Sequence, residues 1–167
     1  MYILIGMPGC GKSCMGKYIA SKLKIKHIDS DRLIEERCGK KLHEIIAEKG
    51  LEGFKQIEKD VLMSIEPENV IISTGGSAVY YEEAMERFRN IGTVIYLYVG
   101  LEEIKRRLGD FSKRGIVLAE GQTIADLFKE RTRLYEKYAD VTVNCNGRAY
   151  QEYQAELIRI LKDIGDK

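Results

Sequence analysis

One glycine-rich segment, Gly6-Met7-Pro8-Gly9-Cys10-Gly11-Lys12-Ser13, constrains the fold of this chain more than any other feature. It matches the pattern G-x-x-x-x-G-K-[ST] at every position. An apolar run, Tyr2–Ile5, precedes the segment, and a helical pattern follows it. The glycines let backbone N–H groups converge on phosphate oxygens, and a helix N-terminus adds partial positive charge. The segment therefore predicts a phosphate-binding loop between a strand and a helix.

The residue types in this loop predict a site for ATP and Mg²⁺. A lysine at position 12 reaches the β and γ phosphates, and a hydroxyl at position 13 ligates the metal. We assign to this site Gly9, Cys10, Gly11, Lys12, Ser13 and Cys14. The alternative is a glycine-rich turn with an incidental lysine. Such a loop occurs in kinases, in binding switches and in motor ATPases, so other residues must decide between them.

Short apolar runs rich in Ile, Val and Tyr alternate with helical patterns along the chain. The runs cover 2–5, 26–28, 70–73, 93–99 and 141–144, and helices are predicted over 12–23, 31–38, 42–49, 52–66, 81–89, 102–108, 123–139 and 150–163. This alternation favours a parallel sheet covered on both faces. The periodicity fails over 109–122, which has the length of a lid. We expect one three-layer α/β domain over 1–167.

Composition excludes several classes of protein. The net charge of +1 disfavours a protein that wraps nucleic acid in a basic field. No apolar run approaches the roughly 20 residues that span a bilayer, and the apolar start stops at Gly6, too short for a secretory signal. The four cysteines lack metal-site spacing. We expect a cytoplasmic monomer with reduced thiols and no nucleic-acid or membrane partner.

Carboxylates near the second run are candidates for contacts with a phosphoryl acceptor. Asp29 and Asp31 fall where a parallel strand ends, at the sheet edge that binds ligands. One could support the metal while the other accepts a hydrogen bond from a hydroxyl, although both also suit a helix start. Glu58 lies within the apolar stripe of its helix, and Lys55 is close enough to pair with it. The pair could hold a cation at the cleft wall, or it could be an ordinary pair on the helix surface with Glu58 reaching out to solvent.

Two further signals lie later in the chain. Gly75 and Gly76 follow the third run, where they permit close backbone approach to a ligand or form a plain tight turn. Arg131 interrupts the apolar face of its helix, so it must meet an anion on the protein or on a ligand. Arg114, in the lid-like segment, could close over a transferring phosphoryl group.

The ordered set of motifs resembles the shikimate kinase family of P-loop small-molecule kinases over nearly the whole chain. The motifs are GMPGCGKS, HIDSD, FKQIE, STGGSAV, a lid with KRG, and ERTRLY. The resemblance implies a five-stranded parallel sheet in the order 2-3-1-4-5, with a lid over about 109–122 and an acceptor-binding region over about 29–62. It also implies the phosphorylation of shikimate by ATP to shikimate 3-phosphate.

The resemblance further implies roles for single residues. Asp29 would act in the magnesium shell, and Asp31 would bind the acceptor and serve as candidate base. Arg131 would hold the carboxylate of a small carboxylated polyol, beside Gly75 and Gly76. Arg114 would be the lid arginine, and Arg107 would lie against adenine. Lys55 would share the acceptor carboxylate with Arg131.

Several residues depart from the family pattern. Lys55 stands where the family has an arginine, and Ser77 where it has a third glycine. Lysine keeps the charge but lacks the bidentate fork. The lid segment KRGIVLAEG and the loop Asn146-Gly147-Arg148 lack the usual prolines. The alternatives are therefore a relative acting on another small hydroxy acid, such as a gluconate-type kinase, a nucleotide kinase, or a nucleotide-binding regulator without catalysis.

Overall fold

The computed structural model describes residues 1–109, 116, 118–119 and 121–165, and within them five parallel strands form one sheet. The strands are β1 (Tyr2–Ile5), β2 (Lys26–Asp29), β3 (Val70–Ser73), β4 (Thr93–Tyr98) and β5 (Val141–Asn144). Their order is β2-β3-β1-β4-β5, which confirms the order that the resemblance implied. β1 lies at the centre, with Leu4 in register with Ser73 on one side and with Ile95 on the other.

Seven α-helices and one 3₁₀ turn lie between the strands or after the last of them in the described part of the chain. They are α1 (Lys12–Leu23), α2 (Ser30–Cys38), α3 (Leu42–Met63), α4 (Glu82–Ile91), α5 (Leu101–Leu108), α6 (Ile124–Tyr138) and α7 (Tyr150–Gly165), with the turn at Ala78–Tyr80. None of these helices is both long and apolar enough to cross a membrane. The structure thus agrees with the predicted alternation of strands and helices.

The boundaries differ from the sequence prediction mainly in α3. Two helices, over 42–49 and 52–66, were expected with a break at Gly50. The break is present, because Gly50 has the non-helical backbone angles φ 71° and ψ 175° and kinks α3 there. The difference is at the end of the second half, which stops at Met63 rather than at 66. Gly39 ends α2 with a φ of 64°. Thr123 and Asp126 cap α6 reciprocally.

The core lies on both faces of the sheet, because β1, β3 and β4 are apolar at almost every position. Ile3, Leu4 and Ile5 are fully buried, as are Ile71 and Ile72. Strands with two apolar faces require helices above and below them. The polar residues at the carboxyl ends of these strands are therefore brought to one edge of the sheet, where the candidate site lies.

Candidate active site

A cavity of about 430 Å³ opens at the carboxyl edge of the sheet. Its lining includes Lys12, Ser13, Asp31, Phe54, Glu58, Gly75, Gly76, Ser77, Ile116 and Arg131. These residues come from the loop after β1 with the start of α1, from α2 and α3, from the segment after β3, from the segment between α5 and α6, and from α6. The fold thus brings together most of the predicted catalytic and acceptor-binding residues, although they are far apart in the chain.

The loop between β1 and α1 has the geometry of an anion site. Gly9 and Gly11 adopt φ values of 81° and 101°, which residues with a Cβ rarely reach. Helix α1, all of whose residues are described, begins without a side-chain cap or an acidic residue in its first turn. Its free N–H groups and its dipole therefore favour a phosphate group.

Lys12 is anchored within this loop and is almost completely buried. Its Nζ donates to the carbonyl oxygens of Gly6 and Met7 at 2.7 and 3.0 Å. Cys10 is buried beneath it, with Sγ 3.7 Å from the Lys12 ammonium, whereas Cys14 is exposed in the first turn of α1. The ammonium group is thus held among the loop carbonyls at the wall of the cavity.

Asp29 makes two contacts, one of which is the helix cap that its sequence position allowed. Its Oδ1 accepts from the backbone N–H of Arg32 and so caps α2. Its Oδ2 accepts from the Ser13 hydroxyl at 2.6 Å. Mg²⁺ prefers oxygen ligands, and this pair places a hydroxyl and a carboxylate together at the end of the phosphate loop. The residues present therefore fit a magnesium ion.

Asp31 points into the cavity beside a second carboxylate. A Cβ placed on Gly75 would lie 2.8 Å from both Asp31 Oδ1 and Glu58 Oε1. Only glycine leaves room for both oxygens at this position. Burial, followed by the negative charges of Glu58 and Asp29, raises the pKa of Asp31 to about 6.

Arg131 is buried, with only 6% of its surface exposed. Its guanidinium lies over the Tyr80 ring, 5.3 Å from the centroid. A Cβ on Gly76 would come within 2.9 Å of its Nη1, so the glycine pair also makes room for this arginine. One turn later Tyr135 donates to the Gly76 carbonyl at 2.8 Å, which ties α6 to the glycine segment.

The position of the Lys55 side chain contradicts the predicted pairing with Glu58. It is exposed and forms an ion pair with Glu52 at 2.7 Å, away from the cavity. Glu58 instead accepts hydrogen bonds from Ser77 and Tyr81, which follow the glycine pair. The spacing of three residues on a helix allowed the contact with Lys55, but the carboxylate turns inward while the lysine turns to solvent.

The remaining predicted residues lie outside the cavity or outside the described residues. Arg107 on α5 pairs with Glu103 at 2.6 Å and approaches the Gly9 carbonyl at 3.5 Å, on the other side of the phosphate loop. Arg114 and most of the predicted lid over 109–122 lie outside the described residues. Sequence reasoning missed the contacts of Tyr80, Ser77 and Tyr81. Their closeness to the glycine pair was the only available signal.

Comparisons with known proteins show the family of this chain. The family model described as "Shikimate kinase" matches residues 8–162. The chain belongs to the shikimate kinase family. This confirms the resemblance of the motifs, and membership makes the chain an ATP-using kinase. The family model and the relatives described next give no support to a gluconate-type kinase or to a regulator without catalysis.

Individual relatives show the same similarity. A shikimate kinase of Francisella tularensis subsp. novicida is 36% identical over 148 residues, which cover 86% of this chain and 84% of that protein. The structure of shikimate kinase from Acinetobacter baumannii in complex with shikimate matches with a TM-score of 0.87 and 28% identity, over 99% of this chain and 95% of that one. Shikimate kinase from Aquifex aeolicus matches with a TM-score of 0.80 and 28% identity, over 99% and 98%.

Proposed function

We propose that this member of the shikimate kinase family transfers the γ-phosphoryl group of ATP to a hydroxyl of shikimate in the cavity between the phosphate loop and Arg131, giving shikimate 3-phosphate. One observation carries the proposal. Among the described residues no carboxylate lies within 4.0 Å of the buried Arg131 guanidinium, which lines the same cavity as Lys12. A buried cation needs an anion, and a carboxylated acceptor supplies one.

The nucleotide would bind with its phosphates on the loop and on the N-terminus of α1. Gly9, Cys10, Gly11 and Cys14 contribute to the loop and to the first helical turn, and Lys12 offsets charge on the β and γ phosphates. Arg107, beside Gly9, would lie against the adenine. Ser13 and Asp29 would hold Mg²⁺, which when bound neutralises charge on the phosphates.

Asp31 would orient the acceptor hydroxyl and take its proton. As the hydroxyl oxygen forms its bond to the γ-phosphorus, the bond to the β–γ bridging oxygen breaks and ADP leaves. Arg131 fixes the acceptor carboxylate, and the backbone of Gly75 and Gly76 approaches the acceptor closely. Holding the two reactants in line is most of the catalysis in such transfers.

Other parts of the proposal rest on the sequence alone. We propose Arg114 as the lid arginine and Lys55 as an additional cation for the acceptor, which would require the lysine to leave Glu52. The chain would act as one domain and as a cytoplasmic monomer, with no nucleic-acid or membrane partner. The near-neutral net charge supports the absence of a nucleic-acid partner.

The acceptor is tested by ADP release from Mg-ATP in a coupled assay with shikimate, its methyl ester, quinate, gluconate and homoserine. We expect the highest kcat/KM with shikimate. The ester should be about 10- to 100-fold worse, because it loses a charged hydrogen-bonded pair with the arginine. Higher kcat/KM with gluconate or homoserine, or equal values for acid and ester, would contradict the proposal.

The pH profile tests the role of Asp31 as base. Since its pKa is raised to about 6 and the base must be ionised, kcat/KM for shikimate should fall as the pH drops below about 6. The Glu58 charge contributes to this shift, so Glu58→Gln should move the acidic limb to lower pH. The profile is measured at saturating Mg-ATP. An acidic limb that stays in place in the variant would contradict the assignment.

A further inference from the structure

Glu58 is a buried carboxylate whose hydrogen-bond partners are neutral. It is 1% exposed and lies on the inward face of α3. The single O–H of Ser77 donates a bifurcated hydrogen bond to the two carboxylate oxygens, which lie 2.7 and 2.8 Å from Oγ. The Tyr81 hydroxyl donates to Oε2 at 2.7 Å. Within the described ranges no basic side chain lies within 4.0 Å of this carboxylate. The two hydroxyl groups therefore provide its side-chain stabilisation.

The Glu58 carboxylate lies beside the negative Asp31, although the positive Arg131 is also near. Gly75, whose Cβ position would meet both Asp31 and Glu58, separates the two carboxylates, and Arg131 lies beside the next residue, Gly76. Burial raises the pKa of Glu58, whereas the hydroxyl donors and the Arg131 charge lower it. Coulomb attraction inside a poorly solvated cavity would draw Glu58 toward Arg131. The hydroxyl groups of Ser77 and Tyr81 oppose that movement.

We propose that Ser77 and Tyr81 are positioning residues that hold Glu58 away from Arg131, so that the arginine remains available for the carboxylate of the acceptor. This inference rests on the proposed role of Arg131. If Glu58 paired with Arg131, that internal ion pair would have to break before a substrate carboxylate could bind. The two hydroxyl groups thus favour acceptor binding through their effect on Glu58 and Arg131.

Ser77 takes a role that the neighbouring basic residue on α3 does not fill. Lys55, three residues before Glu58, is turned to Glu52 at the surface. The hydroxyl of Ser77 instead donates to Glu58, and a residue without a hydroxyl at position 77 could not do so.

The test removes the hydroxyl groups with Ser77→Ala, Tyr81→Phe and the two together. We expect the KM for shikimate to rise about 10-fold in the double variant, while the KM for Mg-ATP stays within about twofold, as the phosphate loop is untouched. Ser64→Ala and Tyr2→Phe are matched controls. Each loses a hydroxyl group outside the cavity, one that donates to the carbonyl oxygen of Val61 or of Leu161. The Ser64 hydroxyl also accepts from Arg37. Both controls should keep the KM of the unmodified protein.

The decisive readout is rescue by Glu58→Gln, which removes the charge that would compete for Arg131. In the glutamine background, loss of both hydroxyl groups should change the KM for shikimate less than about twofold. An equal rise in both backgrounds, a parallel rise in the KM for Mg-ATP, or no rise in the double variant would each overturn the inference. Arg131→Ala separates the two proposals: if it leaves the KM for shikimate unchanged, the proposed role of Arg131 fails as well.

Discussion

Replacement of Asp31 by asparagine is expected to lower kcat by about 10²- to 10⁴-fold, the usual contribution of a general base. The amide cannot accept the proton of the acceptor hydroxyl. Its shape is nearly the same, so the KM for Mg-ATP should change little. The measurement is steady-state ADP release with shikimate at saturating Mg-ATP.

The same substitution should stabilise the protein at neutral pH. The pKa of Asp31 is raised from its ordinary 3.8 to about 6 in the folded chain. The folded state therefore binds more protons than the unfolded state between these values, and stability falls as the pH rises through that window. Asparagine carries no charge at any pH, so the variant does not lose this stability as the pH rises. Its Tm at pH 7 should therefore be higher than that of the unmodified protein. Asp60→Asn, on the exposed face of α3, is the matched control and should alter neither kcat nor Tm appreciably. An Asp31→Asn variant that keeps kcat within tenfold would rule out the role of base.

Replacement of Arg131 by alanine should raise the KM for shikimate about 10²- to 10³-fold, with little effect on the KM for Mg-ATP. Removing one partner of a buried, hydrogen-bonded charge pair is costly, because the other charge stays buried without its partner. Here the substrate carboxylate would also meet the negative charges of Glu58 and Asp31. Steady-state kinetics with each substrate varied in turn measures the effect.

The role of Arg131 can be tested more directly by comparing shikimate with its methyl ester in the unmodified protein and in Arg131→Ala, which gives a thermodynamic cycle. If Arg131 binds the carboxylate, the unmodified protein should prefer the acid and Arg131→Ala should show almost no preference between acid and ester. Arg133→Ala, at an exposed position two residues along α6, should retain the preference. A preference that survives the loss of Arg131 would show that another cation binds the carboxylate.

Much of the fold followed from patterns within short stretches of chain. The five apolar runs became five strands, and Gly39 and Thr123 mark helix ends where their backbone preferences place them. The phosphate loop is predictable because its pattern specifies backbone geometry directly. The strand order could not be read from any run by itself, since parallel strands pair over long separations. It came from the resemblance of the whole motif set.

The prediction for Glu58 shows where local reasoning was insufficient. The helical spacing correctly placed its side chain on the buried face of α3, but it suggested the neighbouring Lys55 as partner. The actual partners, Ser77 and Tyr81, lie 19 and 23 residues further along the chain. Periodicity reports which face of a helix is buried, and it contains no information on which side chains cover that face.

The sequence by itself therefore determined the phosphate loop, the alternating α/β architecture and the presence of a carboxylate and an arginine that need buried partners. These features depend on backbone preferences and on the cost of burying charge, both of which act within a few residues. Only the tertiary structure decided that Asp31 and Glu58 meet across Gly75 and that Lys55 faces Glu52. It also decided that the hydroxyl groups of Ser77 and Tyr81 donate to Glu58. Those outcomes depend on distances between separate elements, which are set by packing of the whole sheet and its helices.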